Sequence, residues 1–272
     1  MPTFDRRTLL RAGAALAVCS PAVLKASPAP AQASAEPMPE VQALFFDVFG
    51  TVVDWRGGVA REAEKTLKPL GYSLDWFDFA DAWRGEYQTG MDDVRLGRVP
   101  FTKLDIIHRH MLDKIRPRFG LEKLDEATQA ELNLAWHRLD GWQDAGPGFA
   151  RLRARLMLCP CSNGNIAIMA DIGRRNDFRW HAILGSEIAR DFKPKPRVYL
   201  DSVEALNLKP ANCMMVAAHS GDLAAAAAQG LRTAHVARPG EHGPKNSGES
   251  EPKVPVDIAA KSFGELAEKL GT

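Results

Sequence analysis

From residue 41 onward the chain alternates between short, almost unbroken apolar runs and longer stretches with apolar positions every three or four residues. The first run is "VQALFF" (41–46). Near-continuous apolarity over so short a length predicts a strand covered on both faces, as in a parallel sheet. "RLMLCPCS" (155–162), "HAILG" (181–185), "CMMVAA" (213–218) and "RTAHVA" (232–237) predict four more strands. Between them, "IAIMADIGRR" (166–175), "PRVYLDSVEALN" (196–207) and the alanine-rich "DLAAAAAQG" (222–230) predict helices, the last closed by Gly230 as a C-terminal cap. Strand and helix repeated in this way predict an α/β fold, a doubly wound parallel sheet with right-handed crossovers.

Residues 56–140 break the alternation and read as consecutive helices over 58–69, 76–90, 101–115 and 124–139. The expected organisation is a catalytic core of 41–55 and 141–272 with a helical cap, 56–140, inserted after the first strand. Open α/β sheets bind ligands beyond the carboxyl ends of their strands, so a cap leaving there overhangs the site. The stretch "PGEHGPKNSGESEPKVP" (239–255) reads as an exposed loop before a closing segment.

The first 33 residues have a different character. Paired Arg6 and Arg7, a weakly apolar stretch interrupted by Arg11, and then small residues and prolines resemble a twin-arginine export signal. "AQA" (31–33) suits cleavage before Ser34 and implies a periplasmic protein; a lipoprotein signal ending at Cys19 fits less well, because Val18 is bulky. Cleavage removes four basic residues and one acid, taking the formal charge from +1 to −2. That balance points to neither nucleic acid nor an anionic membrane as a partner, and no later run is long and apolar enough to span a bilayer. Cys159, Cys161 and Cys213 remain, too few and too poorly spaced for a disulfide framework or a metal site, and read as buried small hydrophobes.

The strand ends carry the candidate chemistry. Asp47 ends the first strand and is followed by Gly50 and Thr51 in a turn; Ser162 and Asn163 end the second. Lys193 follows the third in "RDFKPKPRVY", and His219, Ser220 and Asp222 follow the fourth in "AAHSGDL". One acid at a strand end could simply cap a turn. Two carboxylates, an ammonium, a hydroxyl and an amide on one rim describe a reaction site.

In this order, "DVFGT", "SNGN", "KPKPRVY" and "HSGDL" resemble the four motifs of the haloacid dehalogenase superfamily, and more closely its 2-haloacid dehalogenase branch. The resemblance covers about 41–270 and implies a Rossmann-like core, a helical cap and Asp47 as covalent nucleophile. Phosphatases of the superfamily carry a second Asp two residues after the nucleophile to protonate the leaving alkoxide. Here that position is Phe49, which cannot donate a proton. Late acids that would hold magnesium are also reduced to Asp222, followed by alanines, so neither metal nor other cofactor is expected. A halide leaves without either.

The resemblance therefore implies attack by Asp47 on the halogen-bearing carbon of a small 2-halocarboxylate, with inversion there. Hydrolysis of the aspartyl ester then yields a 2-hydroxy acid. It assigns Arg84 and Asn163 to the halide, Ser162 to the substrate carboxylate and Lys193 to the Asp47 charge. Tyr199 and Asp222 take supporting positions, and Thr51 supplies a hydroxyl beside the nucleophile. It also allows a homodimer. Trp55, Trp76 and Trp83 could line a pocket, but buried aromatics in a helical bundle are more often core.

Two positions depart from the family pattern. Ala217 and His219 stand where the best-known members have serine and asparagine. His219 is expected to position or deprotonate the hydrolytic water together with Asp222. The competing readings are a phosphatase-like hydrolase of the same superfamily and a non-catalytic binder of small carboxylates.

Overall fold

The structure, a computed structural model, describes residues 40–272. The expected export signal over 1–33 lies outside the described residues. Six strands form one sheet: β1 (Ala43–Phe46), β2 (Met157–Ser162), β3 (Leu184–Gly185), β4 (Cys213–Ala217), β5 (Arg232–Val236) and β6 (Ile258–Ala260). Their order is β3-β2-β1-β4-β5-β6 and every pairing is parallel. This is the Rossmann order, in which the chain reverses its direction of travel between β1 and β4. A ligand crevice belongs at the carboxyl ends of those two strands.

Strand β1 explains the apolar run. Leu44 and Phe46 face one side, against Phe149, Leu152 and Phe263, while Ala43 and Phe45 face the other, with Val198, Tyr199 and Leu223. All four residues of the strand are fully buried. A strand with helices on both faces has no polar side, which is why its alternation is invisible in the sequence.

Between β1 and β2 lie α1 (Trp55–Leu67), α2 (Trp76–Gly85), α3 (Tyr87–Arg95), α4 (Leu104–Ile115) and α5 (Glu126–Asn133), followed by α6 (Ala145–Leu152). Helix α1 begins three residues earlier than expected because the Asp54 side chain accepts a hydrogen bond from Gly57 N and caps it. The single helix expected over 76–90 is two helices broken at Glu86. The helix expected over 124–139 ends at Asn133 and tightens into a 3₁₀ turn over Leu134–His137. The later helices are α7 (Ile166–Asn176), α8 (Ser186–Ala189), α9 (Pro196–Glu204), α10 (Ser220–Ala227) and α11 (Phe263–Lys269). Helix α10 stops three residues before Gly230, whose φ of 82° reverses the chain into β5.

Strand β6 and helices α6, α8 and α11 were not anticipated. Each is eight residues or shorter, too short for a period to show. The 239–255 segment is also not simply an exposed loop. Arg238 is buried just before it and donates from Nε to Thr51 O at 2.8 Å, and Glu241 within it is only 2 % exposed. Among the described residues, no helix is long and apolar enough to cross a membrane.

Phe46 sits at the middle of this packing, with the rings of Phe149, Phe263 and Trp180 at centroid distances of 4.8, 5.8 and 6.0 Å. Phe46→Ala is expected to cost about 3–5 kcal/mol through lost burial and an unfilled cavity. Urea unfolding measures it, and a loss below about 1 kcal/mol would contradict the packing described.

Candidate active site

Asp47 follows β1 directly, and its backbone N–H donates to Val216 O of β4 at 3.0 Å. Its carboxylate is buried, and the two oxygens have different partners. Oδ1 accepts from Lys193 Nζ at 2.9 Å. Oδ2 accepts from Thr51 Oγ1 at 2.8 Å and lies 2.9 Å from His219 Nδ1. Thr51 is itself held by Ala218 N, which donates to Oγ1 at 2.9 Å. Burial alone would raise the pKa of Asp47, but Lys193 and His219 hold it well below the usual carboxylate range. It is therefore an ionised carboxylate.

Lys193 Nζ also donates to Asp222 Oδ2 at 2.5 Å, and Tyr199 Oη donates to Asp222 Oδ1 at 2.6 Å. Burial would lower the Lys193 pKa, yet the two carboxylates raise it above the ordinary lysine value. Burial and the neighbouring Asp47 raise the Asp222 pKa against the pull of Lys193. Burial and Asp222 raise that of the Tyr199 phenol, which stays protonated.

Asn163 Oδ1 accepts from Ser186 Oγ at 3.0 Å and from Lys193 N at 2.8 Å. With its oxygen tied, the amide keeps its Nδ2 donors for the cavity it lines. That cavity, about 440 Å³, is also bounded by Asp47, Phe49, Arg84, Tyr87, Lys193, Tyr199, His219 and Asp222. Arg84, in the last turn of α2, stacks its guanidinium 3.7 Å from the Tyr87 ring centroid and 5.7 Å from that of Phe49. Its Nη1 is buried and has no partner. Ser162 is placed differently: fully buried and absent from the cavity wall, its Oγ accepts from Gly164 N at 3.0 Å. Trp55 and Trp83 are buried and Trp76 packs against the core; none of the three lines this cavity.

His219 has a partner that sequence did not reveal. Its Nε2 lies 2.9 Å from Glu241 Oε2, and Glu241 Oε1 accepts from Trp55 Nε1 at 3.1 Å. The partners of its ring are thus Asp47 and Glu241, while Asp222, expected to act with it on the hydrolytic water, bonds to Lys193 and Tyr199. An ionised carboxylate only accepts hydrogen bonds, so an imidazole between two of them must carry a proton on each nitrogen. Burial would lower its pKa, but the bonds to Asp47 and Glu241 push it up to about 10. In the resting site His219 is a cation and a donor, not a base. Gly50 makes the approach of Glu241 feasible. Its φ is 89°, and a Cβ there would stand 2.1 Å from Glu241 Oε1.

Glu241 could not have been found from the sequence, since it lies in a Gly- and Pro-rich stretch without periodicity. Arg95 also lines the cavity unanticipated, from the end of α3. The three cysteines are free and buried, as expected. Among the described residues, no group of three or more His, Cys, Asp or Glu side chains is arranged to hold a metal ion.

A family model of haloacid dehalogenase-like hydrolases matches residues 41–230, and the chain belongs to that family. Within it the chain falls in the 2-haloacid dehalogenase branch. It is 28% identical over 202 residues to an (S)-2-haloacid dehalogenase of Xanthobacter autotrophicus, covering 73% of this chain and 76% of that one. Among solved structures it resembles the defluorinating L-2-haloacid dehalogenase Rha0230 (40% identity, TM-score 0.83, 85% of this chain and 96% of that one). It also resembles the L-2-haloacid dehalogenase PA0810 (38%, TM-score 0.82, 85% and 99%).

The protonation of His219 is directly measurable. Its ring ¹⁵N signals are expected to remain those of imidazolium from about pH 6 to about pH 9, because the raised pKa keeps the proton bound until well above neutrality. A neutral-imidazole pattern near neutral pH would contradict the two-carboxylate geometry.

Proposed function

We propose that the protein hydrolyses short 2-haloalkanoic acids to 2-hydroxy acids through an ester on Asp47. The observation that carries this reading is an ionised carboxylate on the wall of a cavity whose usual second acid is replaced by the ring of Phe49. The enzyme can attack but has no acid at that position to protonate an alkoxide, which suits a leaving group that departs as a stable anion.

An anionic substrate approaching an anionic nucleophile needs compensating positive charge. Lys193, His219, Arg84 and Arg95 supply it on the cavity wall. Arg84 Nη1, buried without a partner, and Asn163 Nδ2 are the donors available to the departing halide. Ser162, tied to Gly164, would reach the substrate carboxylate only through its hydroxyl proton.

In the first step an Asp47 oxygen bonds to the substrate carbon as the carbon–halogen bond breaks, and halide leaves with the bonding pair. In the second, water adds to Asp47 Cγ and gives a proton to Asp222, whose raised pKa makes it the better base. Asp222 returns that proton to the departing hydroxy acid. The acid form of Asp47 then loses its own proton to solvent. The second step never touches the substrate carbon, so configuration inverts once.

The enzyme is expected to release chloride from (S)-2-chloropropionate, undiminished by EDTA, and to form (R)-lactate. Asp47→Asn should lower kcat by at least about a thousandfold. Chloride electrode and chiral chromatography read both outcomes. Magnesium-dependent phosphate release without chloride would favour the phosphatase reading, and tight carboxylate binding without turnover the binder. Because the relative Rha0230 is named defluorinating, fluoroacetate belongs among the substrates assayed.

A further inference from the structure

The two oxygens of Asp47 are not equivalent, and the difference points to the group that completes the second step. Oδ2 receives two hydrogen bonds, from Thr51 and His219, which occupy both of its in-plane lone pairs. Oδ1 receives one, from Lys193. Only Oδ1 has a lone pair left for a carbon atom.

Resting on the reading above, we propose that Asp47 attacks through Oδ1, and that His219, held by Glu241, donates with Thr51 to the oxyanion formed on Oδ2 when water attacks the ester. The Oδ1–carbon bond forms as halide departs with its bonding pair. Water oxygen then adds to Cγ, and the carbonyl π pair moves onto Oδ2, where the His219 Nδ1–H and Thr51 Oγ1–H already point. On collapse that pair returns, the Cγ–Oδ1 bond breaks, and the hydroxy acid leaves with the proton carried by Asp222. Donors fixed in place before the charge develops are worth most in a water-poor site.

Glu241 is the positioning residue of this arrangement. Its carboxylate is 2 % exposed, it accepts from Trp55 Nε1, and it sits against the Cα of Gly50 inside the first motif. It keeps His219 charged after esterification, when Asp47 no longer carries a negative charge to do so. A buried carboxylate with an imidazole and an indole for partners is costly to retain unless it serves such a purpose. Its loop is anchored next to the site by Glu249, which accepts from Ser220 N at 3.1 Å, and by Lys253 N, which donates to Ser220 Oγ at 2.8 Å.

Rapid quench with (S)-2-chloropropionate separates the two steps, reading first-turnover chloride and, by intact mass, the fraction of enzyme carrying the Asp47 ester. In Glu241→Gln the first chloride burst should stay within about threefold of wild type. Steady turnover should fall by about ten- to a hundredfold, with most of the enzyme trapped as ester. His219→Ala, which also removes a positive charge from the cavity wall, should lower the burst as well but turnover further, again with ester accumulating, and Glu241→Asp should recover part of the turnover. Should Glu241→Gln fold poorly, Glu241→Asp, which keeps the charge but draws it back from His219, carries the test as a milder version of the same split. Normal turnover in Glu241→Gln, or burst and turnover falling together without ester, overturns this inference alone. A wild-type enzyme that releases no chloride overturns the functional reading, and this inference with it.

Discussion

The Lys193 ammonium shared between Asp47 and Asp222 is the contact on which the rest of the site depends. Two carboxylates are buried at the carboxyl ends of neighbouring strands, and without a cation between them at least one would have to take up a proton. Removing one partner of such a buried set costs about 3–5 kcal/mol, because the remaining charges lose their compensation. The lysine also ties the segment after β3 to β1 and α10. Tyr199 then satisfies the outer oxygen of Asp222, and Thr51 and His219 satisfy that of Asp47.

Phe49 organises the opposite wall. Its ring meets those of Trp136, His108 and Tyr87 at centroid distances of 5.8, 6.2 and 6.5 Å, so the turn after Asp47 is part of the apolar core it shares with the inserted helices. The same aromatic wall supports the Arg84 guanidinium over Tyr87. One residue thus removes an acid from the chemistry and helps hold a cation beside it. The ring that makes alkoxide departure difficult also shapes the surroundings from which a halide would leave.

The parallel sheet was legible chiefly because β1, β2 and β4 lie in apolar runs bounded by polar rims, whereas β5 is buried although it carries Arg232, Thr233 and His235. Strand β6 was not legible, since three residues carry no pattern. Within the site, Asp47, Lys193, Asp222, Thr51, Asn163 and Tyr199 could be read from strand-end positions and motif resemblance, and the fold brings them together. Arg84 could be singled out among several arginines only by that resemblance. Ser162 matches the motif by position, but whether it meets substrate is not written in that position: it is absent from the cavity wall, and its hydroxyl oxygen accepts from Gly164 N.

The sequence by itself determined which residues stand at strand ends, because those follow from the hydrophobic pattern; that the ends of β1 and β4 lie side by side came from the fold. The sequence also determined that position 49 has no proton to give. Only the tertiary structure decided what each group does to its neighbours. His219 is 22 residues from Glu241 and 172 from Asp47, and its charge comes from facing both at once. Protonation depends on distances between groups far apart in the chain, and no local pattern records them.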